Sequence, residues 1–339
     1  MELHFSVIIP IYNRPEELLE LLDGLSKQQF DKPFEIIVVE DGSQLKSDKV
    51  IEQFDTLNIK YFFKKNSGPG DSRNYGMNKA AGNYFIILDS DCVMPVFYLK
   101  EVNLALQNNY TDAYGGADAA HESFTIIQKA INYSMTSLLT TGGLRGSDKL
   151  KSKFQPRSFN MGISKKAFIQ TQGFSKQHFG EDIDLTFKLW ANNFETQFIP
   201  KAFVYHKRRT SWKQFFKQTI NFGAARPILN KMHPGSAKIT YWFPSLFILG
   251  ILLAICLFVF GHALLLKFYG IYFTLIFLDA MYRNWCVGRV CIKSFIIGLY
   301  AVIATLVQFF GYGSGFLRSF LRLNVLNRSK EEAFPKMFR

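Results

Sequence analysis

Cysteine is scarce in this chain, and its placement carries no pattern. Cys92, Cys256, Cys286 and Cys291 include no C-x-x-C pair, and three of the four lie in apolar sequence. Neither a disulfide framework nor a zinc site is implied. Acidic residues are missing where bases are dense: nine Lys or Arg and no Asp or Glu fall between Lys201 and Thr240. The Val7-Ile8-Ile9 run near the N-terminus has no charged lead and no cleavage site after it, so no signal peptide is expected. On that reading the soluble part of the chain stays in the cytoplasm. Internal repeats and low-complexity tracts are also lacking.

What is present is unevenly distributed. Of 339 residues 48% are hydrophobic, and they crowd into long runs between Tyr241 and Leu317. The chain before Tyr241 reads as an ordinary soluble domain. The net charge is +13, and the tail adds Arg318, Arg322, Arg328, Lys330, Lys336 and Arg339 against Glu331 and Glu332. Basic blocks that flank apolar runs suit an anionic membrane surface, and a nucleic-acid partner is not expected.

The first 90 residues alternate strands and helices. Ser6–Pro10, Glu35–Val39 and Tyr84–Leu88 are continuous apolar runs that read as buried strands, with Lys60–Phe63 a weaker one. Pro15 opens a helix with Leu18, Leu19, Leu22 and Leu25 on one face, and Gly70–Ala81 is a helix stopped by Gly82. Apolar strands separated by helices predict a mostly parallel sheet covered on both faces. Ligands of such sheets sit at the carboxyl ends of the strands. Asn13 and Arg14, Glu40 and Asp41, and Asp89 and Asp91 occupy those ends. Further on, Glu122–Leu139 reads as one helix, Gly142–Gln155 as a polar loop, and Phe159–Ile163 as a strand. Ile183–Asn192 reads as a helix, and Glu195–Ile199 and Ala202–Tyr205 as two short strands.

Ser211–Ala224 sets Trp212, Phe215, Phe216 and Ile220 against Lys213, Gln214, Lys217 and Asn221 at helical spacing, the pattern of an interfacial helix. Trp242–Leu266 and Ser294–Leu317 are each uncharged over the roughly 20 residues a membrane span needs. Phe268–Tyr282 is shorter, and Asp279 interrupts it within reach of Arg283 four residues on. Hydropathy therefore counts three spans. Positive charge at both flanks favours two, since it puts both ends on the cytoplasmic side.

Asp89-Ser90-Asp91 follows a buried strand and offers two carboxylates to one hard divalent cation, Mn²⁺ or Mg²⁺. Such a cation neutralises a diphosphate leaving group. The triplet is the last of four motifs in fixed order. They are Ser6-Val-Ile-Ile-Pro-Ile-Tyr-Asn-Arg14, Val38-Val-Glu-Asp-Gly-Ser43, Gly68-Pro-Gly-Asp-Ser-Arg-Asn-Tyr-Gly76 and Ile87-Leu-Asp-Ser-Asp91. Together they resemble family 2 glycosyltransferases of the GT-A fold, over about Phe5 to Phe216.

The resemblance implies an α/β GT-A nucleotide-sugar-binding domain followed by transmembrane helices. It implies that Asp41 accepts from the base, usually uracil, and that Pro10, Tyr12 and Arg14 line the nucleoside pocket. Arg73, at a helix start where N–H groups and a guanidinium suit a diphosphate, joins Asp89, Ser90 and Arg209 on the donor. Gly68 and Gly70 would let the backbone come close. Gly180-Glu-Asp-Ile-Asp184 resembles the family's second acidic motif, with Asp182 the general base and Glu181 beside it. His206, with Lys207, Arg208 and Arg209, closes the site in some relatives, and its imidazole could add a third metal ligand to Asp89 and Asp91; Asp91 thus serves both metal and catalysis.

One departure is informative. Processive synthases carry Q-x-x-R-W where this chain has Arg208-Arg-Thr-Ser-Trp212, which favours transfer of a single sugar. The expectation is a multi-pass protein of the cell membrane. It divides into a catalytic domain (1–210), an interfacial helix and basic linker (211–240), two or three spans (241–317) and a basic cytoplasmic tail (318–339). It takes a nucleotide sugar, UDP-linked by the resemblance, and a lipid-linked or membrane glycan acceptor. The alternatives are a nucleotide-sugar-binding scaffold without catalysis, a processive synthase, and a nucleotidyltransferase.

Overall fold

The strands predicted from apolar runs form the middle of one eight-stranded sheet. The computed structural model describes residues 2–119, 121, 123–142, 154–285 and 292–334. Most of the expected 142–155 loop, Cys286, Cys291, Lys336 and Arg339 lie outside them. The strands are β1 (Phe5–Ile11), β2 (Glu35–Asp41), β3 (Ile59–Lys64), β4 (Tyr84–Leu88), β5 (Cys92–Val93), β6 (Ala113–Ala119), β7 (Asn160–Ser164) and β8 (Thr196–His206), in spatial order 3-2-1-4-7-6-8-5. Strands β3, β2, β1 and β4 pair in parallel, as their helical connections require. From β4 onward the sheet is mixed: β7 runs antiparallel to β4 and β6, and β5 antiparallel to β8. Strand β8 joins the two short strands expected at Glu195–Ile199 and Ala202–Tyr205, its register against β6 shifting between Gly116 and Asp118.

Two compact units divide the described residues. One takes them from Met1–His121 and Gly146–Lys207, the other from Glu122–Arg145 and Arg208–Pro335. The first contains the sheet and six helices: α1 (Pro15–Ser26), α2 (Asp48–Ile51), α3 (Pro69–Lys79), α4 (Tyr98–Asn108), α7 (Lys165–Thr171) and α8 (Glu181–Ala191). Helix α1 buries Leu18, Leu21, Leu22 and Leu25 on one face of the sheet with α4. Helices α3, α7 and α8 cover the other face. Burial on both faces explains why Val7, Ile8 and Ile9 all lack exposure; each such side chain contributes about 1.5–3 kcal/mol.

The second unit is helical. The single helix expected at Glu122–Leu139 is broken into α5 (Ile126–Thr136) and α6 (Leu138–Thr141). Thr125 and Gln128 form a reciprocal capping box at the start of α5, and Ser137 leaves the helix with extended backbone to cap α6. There follow α9 (Trp212–Met232), α10 (Phe243–Val259), α11 (Leu264–Arg283), α12 (Ile292–Phe320) and α13 (Lys330–Ala333). Helix α9 runs eight residues beyond its expected end and takes Pro227 into its interior. Three helical stretches are long and apolar enough to cross a membrane: Ile239–Val259, Leu264–Arg283 and Ile292–Val325. The expected Asp279–Arg283 pair is present, with Arg283 Nε 3.0 Å from both carboxylate oxygens.

Candidate active site

The parallel half of the sheet delivers three chain reversals to one edge. They follow β1, β2 and β4, at Tyr12–Arg14, Asp41–Ser43 and Asp89–Asp91. Asn13 ties two of them together. Its backbone lies at φ 54°, its N–H donates to Ser43 Oγ at 2.7 Å, and its Oδ1 accepts from the N–H groups of Gln44 and Leu45. A short amide tolerates that left-handed backbone better than a branched side chain does.

Arg73 is the hub of the site. It projects from α3 and is 3% exposed. One amino group donates to Asp89 Oδ1 at 2.7 Å and the other to Glu181 Oε1 at 3.1 Å, with the Phe174 ring 5.3 Å from the guanidinium carbon. Burial works against its charge, but Asp89 and Glu181 outweigh burial and hold its pKa above the ordinary value. Glu181 shows the opposite balance. Burial, then the neighbouring Asp182, push its carboxyl up to about 7 against the pull of Arg73. Both amino groups of Arg73, which the resemblance offers to a diphosphate, are engaged here by the two acidic motifs.

Asp91 faces the other way. Its Oδ2 lies 3.5 Å from an Arg14 amino group, and its Oδ1 lies 3.2 Å from His206 Nε2. Lys207 N–H donates to the Asp91 carbonyl at 3.0 Å, fixing the end of β8 against this loop. The His206 ring stacks on Phe159 at 4.5 Å and 12°, which sets its orientation. Arg14 also donates to Glu17 at 3.0 Å, and Ser90 Oγ donates to the same carboxylate at 3.3 Å. Burial lowers the Arg14 pKa, but Glu17 and Asp91 raise it more, and the net shift is upward. Tyr12 is 51% exposed at the rim, and Pro10 is half-buried beside Val39.

The expected metal trio is not gathered as one group. Asp91 and His206 stand together, whereas Asp89 turns to Arg73. Among the described residues, no three His, Cys, Asp or Glu side chains form a metal-holding group.

Asp41 is buried, and its carboxylate clamps the loop that leads into α3. One oxygen accepts from Lys64 Nζ at 2.5 Å and Ser67 N–H at 2.9 Å, the other from Gly68 N–H at 2.9 Å. The position expected to read the base thus also holds this loop. Gly68 has φ 95°, and a Cβ there would run into the His178 ring; one at Gly70 would press on Phe174 and the Ser175 carbonyl. The α7–α8 connection by itself thus demands glycine at both positions.

The second acidic motif is sorted by burial. Asp184 is fully buried, 2.5 Å from Ser175 Oγ and 3.1 Å from Lys188 Nζ, and serves the packing of α8. Glu181 is taken by Arg73. Asp182 keeps a side chain 16% open, with one oxygen on its neighbour's N–H and the other 3.7 Å from Arg157. Neither Arg157 nor Glu17 lies in a motif: Glu17 stands one helical turn from Arg14 at the start of α1, and Arg157 reaches Asp182 only through folding. Arg209 belongs to the second unit. Arg208 there is buried and holds Asn132 Oδ1 at 2.9 Å.

Residues 6–173 match the family model described as glycosyl transferase family 2. A GalNAc(5)-diNAcBac-PP-undecaprenol beta-1,3-glucosyltransferase of Campylobacter jejuni is 26% identical over 229 residues, 65% of this chain and 68% of its own length. The poly(ribitol-phosphate) beta-N-acetylglucosaminyltransferase TarS of Staphylococcus aureus is 36% identical over 112 residues, which is 32% of this chain and only 20% of TarS. Among solved structures, the mannosyltransferase PcManGT of Pyrobaculum calidifontis, in complex with GDP-Man and Mn²⁺, superposes with a TM-score of 0.56 at 14% identity. That match covers 97% of this chain and 89% of that one. The fold is of the GT-A type.

Proposed function

The chain belongs to glycosyl transferase family 2, and on that footing we propose that it transfers one sugar, with inversion, from a nucleoside-diphosphate sugar to a lipid-linked or membrane glycan acceptor. The observation that carries the reading is the division of labour among the acids. Asp89 and Glu181 are joined through Arg73, while Asp91 with His206 and Asp182 with Arg157 remain at the site for chemistry.

Tyr12, Arg14 and Pro10 border the nucleoside side, and Asp41 holds the loop beneath it. UDP is the donor nucleotide the motifs favour. Asp91 and His206 suit a divalent cation: a carboxylate oxygen and an imidazole nitrogen 3.2 Å apart are a hard and a borderline donor side by side. They would hold Mn²⁺ or Mg²⁺, with phosphate oxygens and water completing its shell. Bound there, the cation supplies neutralising charge for the leaving diphosphate.

The protein's own part is positioning and proton transfer. Asp182 takes the proton of the acceptor hydroxyl as its oxygen bonds to the anomeric carbon. The bond from that carbon to the diphosphate oxygen breaks, and the electron pair leaves with the nucleoside diphosphate. A single displacement inverts the anomeric centre. Single transfer is supported by Arg208-Arg-Thr-Ser-Trp212 in place of the processive motif, and the membrane acceptor by the three apolar helices.

The test is nucleoside diphosphate release from a panel of sugar donors, with membrane extract as acceptor source. Asp182→Asn should lower turnover by roughly 10²-fold or more and leave donor affinity nearly unchanged on the same preparation. Near-normal turnover, a product of retained configuration, or pyrophosphate release would overturn the assignment.

A further inference from the structure

Three helical stretches of the second unit are apolar enough to cross a membrane, but they differ in what surrounds them. In their most apolar windows, 17% of Ile239–Val259 and 11% of Leu264–Arg283 are buried within the protein, against 44% of Ile292–Val325. The exposed apolar residues of α10 point in many directions: Leu246, Leu249, Leu252, Leu253, Ile255 and Phe258. Those of α12 form one stripe, Ile292, Phe295, Leu299, Ile303 and Phe310, continued beyond it by Leu321 and Val325. An all-round apolar surface suits a helix surrounded by lipid, and a single stripe suits a helix lying in the interface.

The other faces of α12 pack against α9, α5, the first turns of α10 at Phe309 and Gly313, and the second half of α11 at Gly298 and Ala301. Helix α9 runs beside it in parallel: Trp212 meets Tyr300, Thr219 lies against Gly311, Ile220 against Gly315, and Ser319 Oγ donates to the Ala224 carbonyl. A Cβ at Gly223, Gly311 or Gly315 would strike the facing helix, so the two backbones approach closely along this seam. The outward face of α9 carries Lys213, Gln214 and Lys217, all exposed at the level of the apolar middle of α12. Helix α5 covers α12 at Ala301 and Ala304 with Ile131, Tyr133 and Met135, and carries Lys129 and Asn132.

We propose that α12 lies along the membrane surface instead of crossing it, with α9 packed on it, and that the α10–α11 hairpin alone enters the bilayer. The occupant of the α12 stripe is an anionic lipid surface. If α12 crossed, α9 would be carried through the same depth, and a lysine at the bilayer centre costs about 2.5–3.5 kcal/mol on insertion scales. Lys213 and Lys217 would incur that cost without a carboxylate nearby in sequence. The length agrees: 29 residues of α12 extend roughly 43 Å at 1.5 Å per residue, well over the roughly 30 Å of hydrocarbon. Charge agrees as well. From Arg208 to Lys330 there are fifteen Lys or Arg and one acid, Asp279, whose carboxylate accepts from Arg283 and Tyr133. A hairpin returns the chain to the face it left. The segments before α10 and after α12 therefore share one side of the membrane, which meets the positive-inside preference at both flanks.

The inference rests on the membrane residence in the proposed function and is independent of the transfer reaction. The test places a site-specific protease sequence at Gly235–Ser236 and, in a second variant, at Asn327–Arg328, both in connections between helices where Gly235, Asn327 and Arg328 are exposed. Protease is added outside sealed vesicles of known orientation. Both variants should be cut in the same orientation and protected in the other. Cutting in opposite orientations would overturn the inference and leave the transferase reading intact. A C-terminal epitope tag on the otherwise unaltered chain, digested in the same vesicles, gives the same reading without touching the connections. Release of the chain by alkaline wash would overturn membrane residence itself.

Discussion

Arg73→Met isolates what joins the two acidic motifs. The Arg73 side chain is 4% exposed, that of Glu181 10% and that of Asp89 30%. Methionine keeps the stem and its contact with Phe174 but removes both charged hydrogen bonds. Removing one partner of a buried pair costs about 3–5 kcal/mol. Asp89 is nearly a third open and regains water, so its share is small, and about 2–4 kcal/mol remains, mostly from Glu181. For a domain of this size that lowers the unfolding midpoint by roughly 5–15 °C, at about 2–4 °C per kcal/mol. The effect also has a pH signature. Folded Glu181 keeps its proton up to about 7, whereas the unfolded group loses it near its ordinary value. Stability therefore falls as pH rises through that interval, because the folded state binds more protons there. Without Arg73 the interval extends upward, so the deficit of the variant should widen from pH 6 to pH 8. The assay is thermal unfolding of the full chain in detergent at pH 6, 7 and 8, followed by intrinsic fluorescence. Arg73→Met combined with Glu181→Gln should recover most of the loss, since no buried charge is then left behind. A variant within 2 °C of the parent at pH 8, or a double variant no better than the single, would refute the reasoning.

Excess chelator should abolish transfer, and Mn²⁺ or Mg²⁺ should restore it. Asp91→Asn should lose activity while unfolding at the parent's temperature; full activity in chelator would remove the metal from the site. Glu35 accepts from Ser6, Lys60 and the N–H groups of Ala81 and Gly82, and these bonds outweigh burial and hold its pKa below the ordinary value. Its stabilisation is present above the unfolded pKa and is lost as pH falls through the folded one. Glu35→Gln should therefore be less stable than the parent by about 1–3 kcal/mol at neutral pH, with the gap closing as pH falls through the folded pKa; a gap unchanged by acid would refute that account.

Legibility in the sequence followed the range of the interactions. β4 was readable to the residue, and β1 and β2 nearly so, because each is built on an unbroken apolar run, such as Ile36–Val39 or Tyr84–Leu88, that buries on both faces. β6 was not: Ala113–Ala119 reads Ala-Tyr-Gly-Gly-Ala-Asp-Ala, with no branched residue, and is a strand because β7 and β8 flank it. The break between α5 and α6 lay within reach of local reasoning. Thr125 with Gln128, and then Ser137, are capping residues, hidden inside an apolar period that continues past them.

The amino-acid sequence by itself determined which residues end the parallel strands, and hence that Arg14, Asp41, Asp89 and Asp91 reach one edge. Strand period, helix caps and strand-end chemistry are local, and local order fixes them. Only the tertiary structure decided how those residues are spent. Arg73 lies 16 positions from Asp89 and 108 from Glu181, yet one guanidinium binds both. Asp182 was separated from Glu181 and Asp184 by burial alone, since the three share one motif and one helix start. Hydropathy marks Ser294–Leu317 as long and apolar enough to span, but it averages over a window and cannot see a neighbour. The lysine-bearing α9 that lies along α12 is distant in sequence, and a helix's surroundings are a property of packing that no window of its own residues contains.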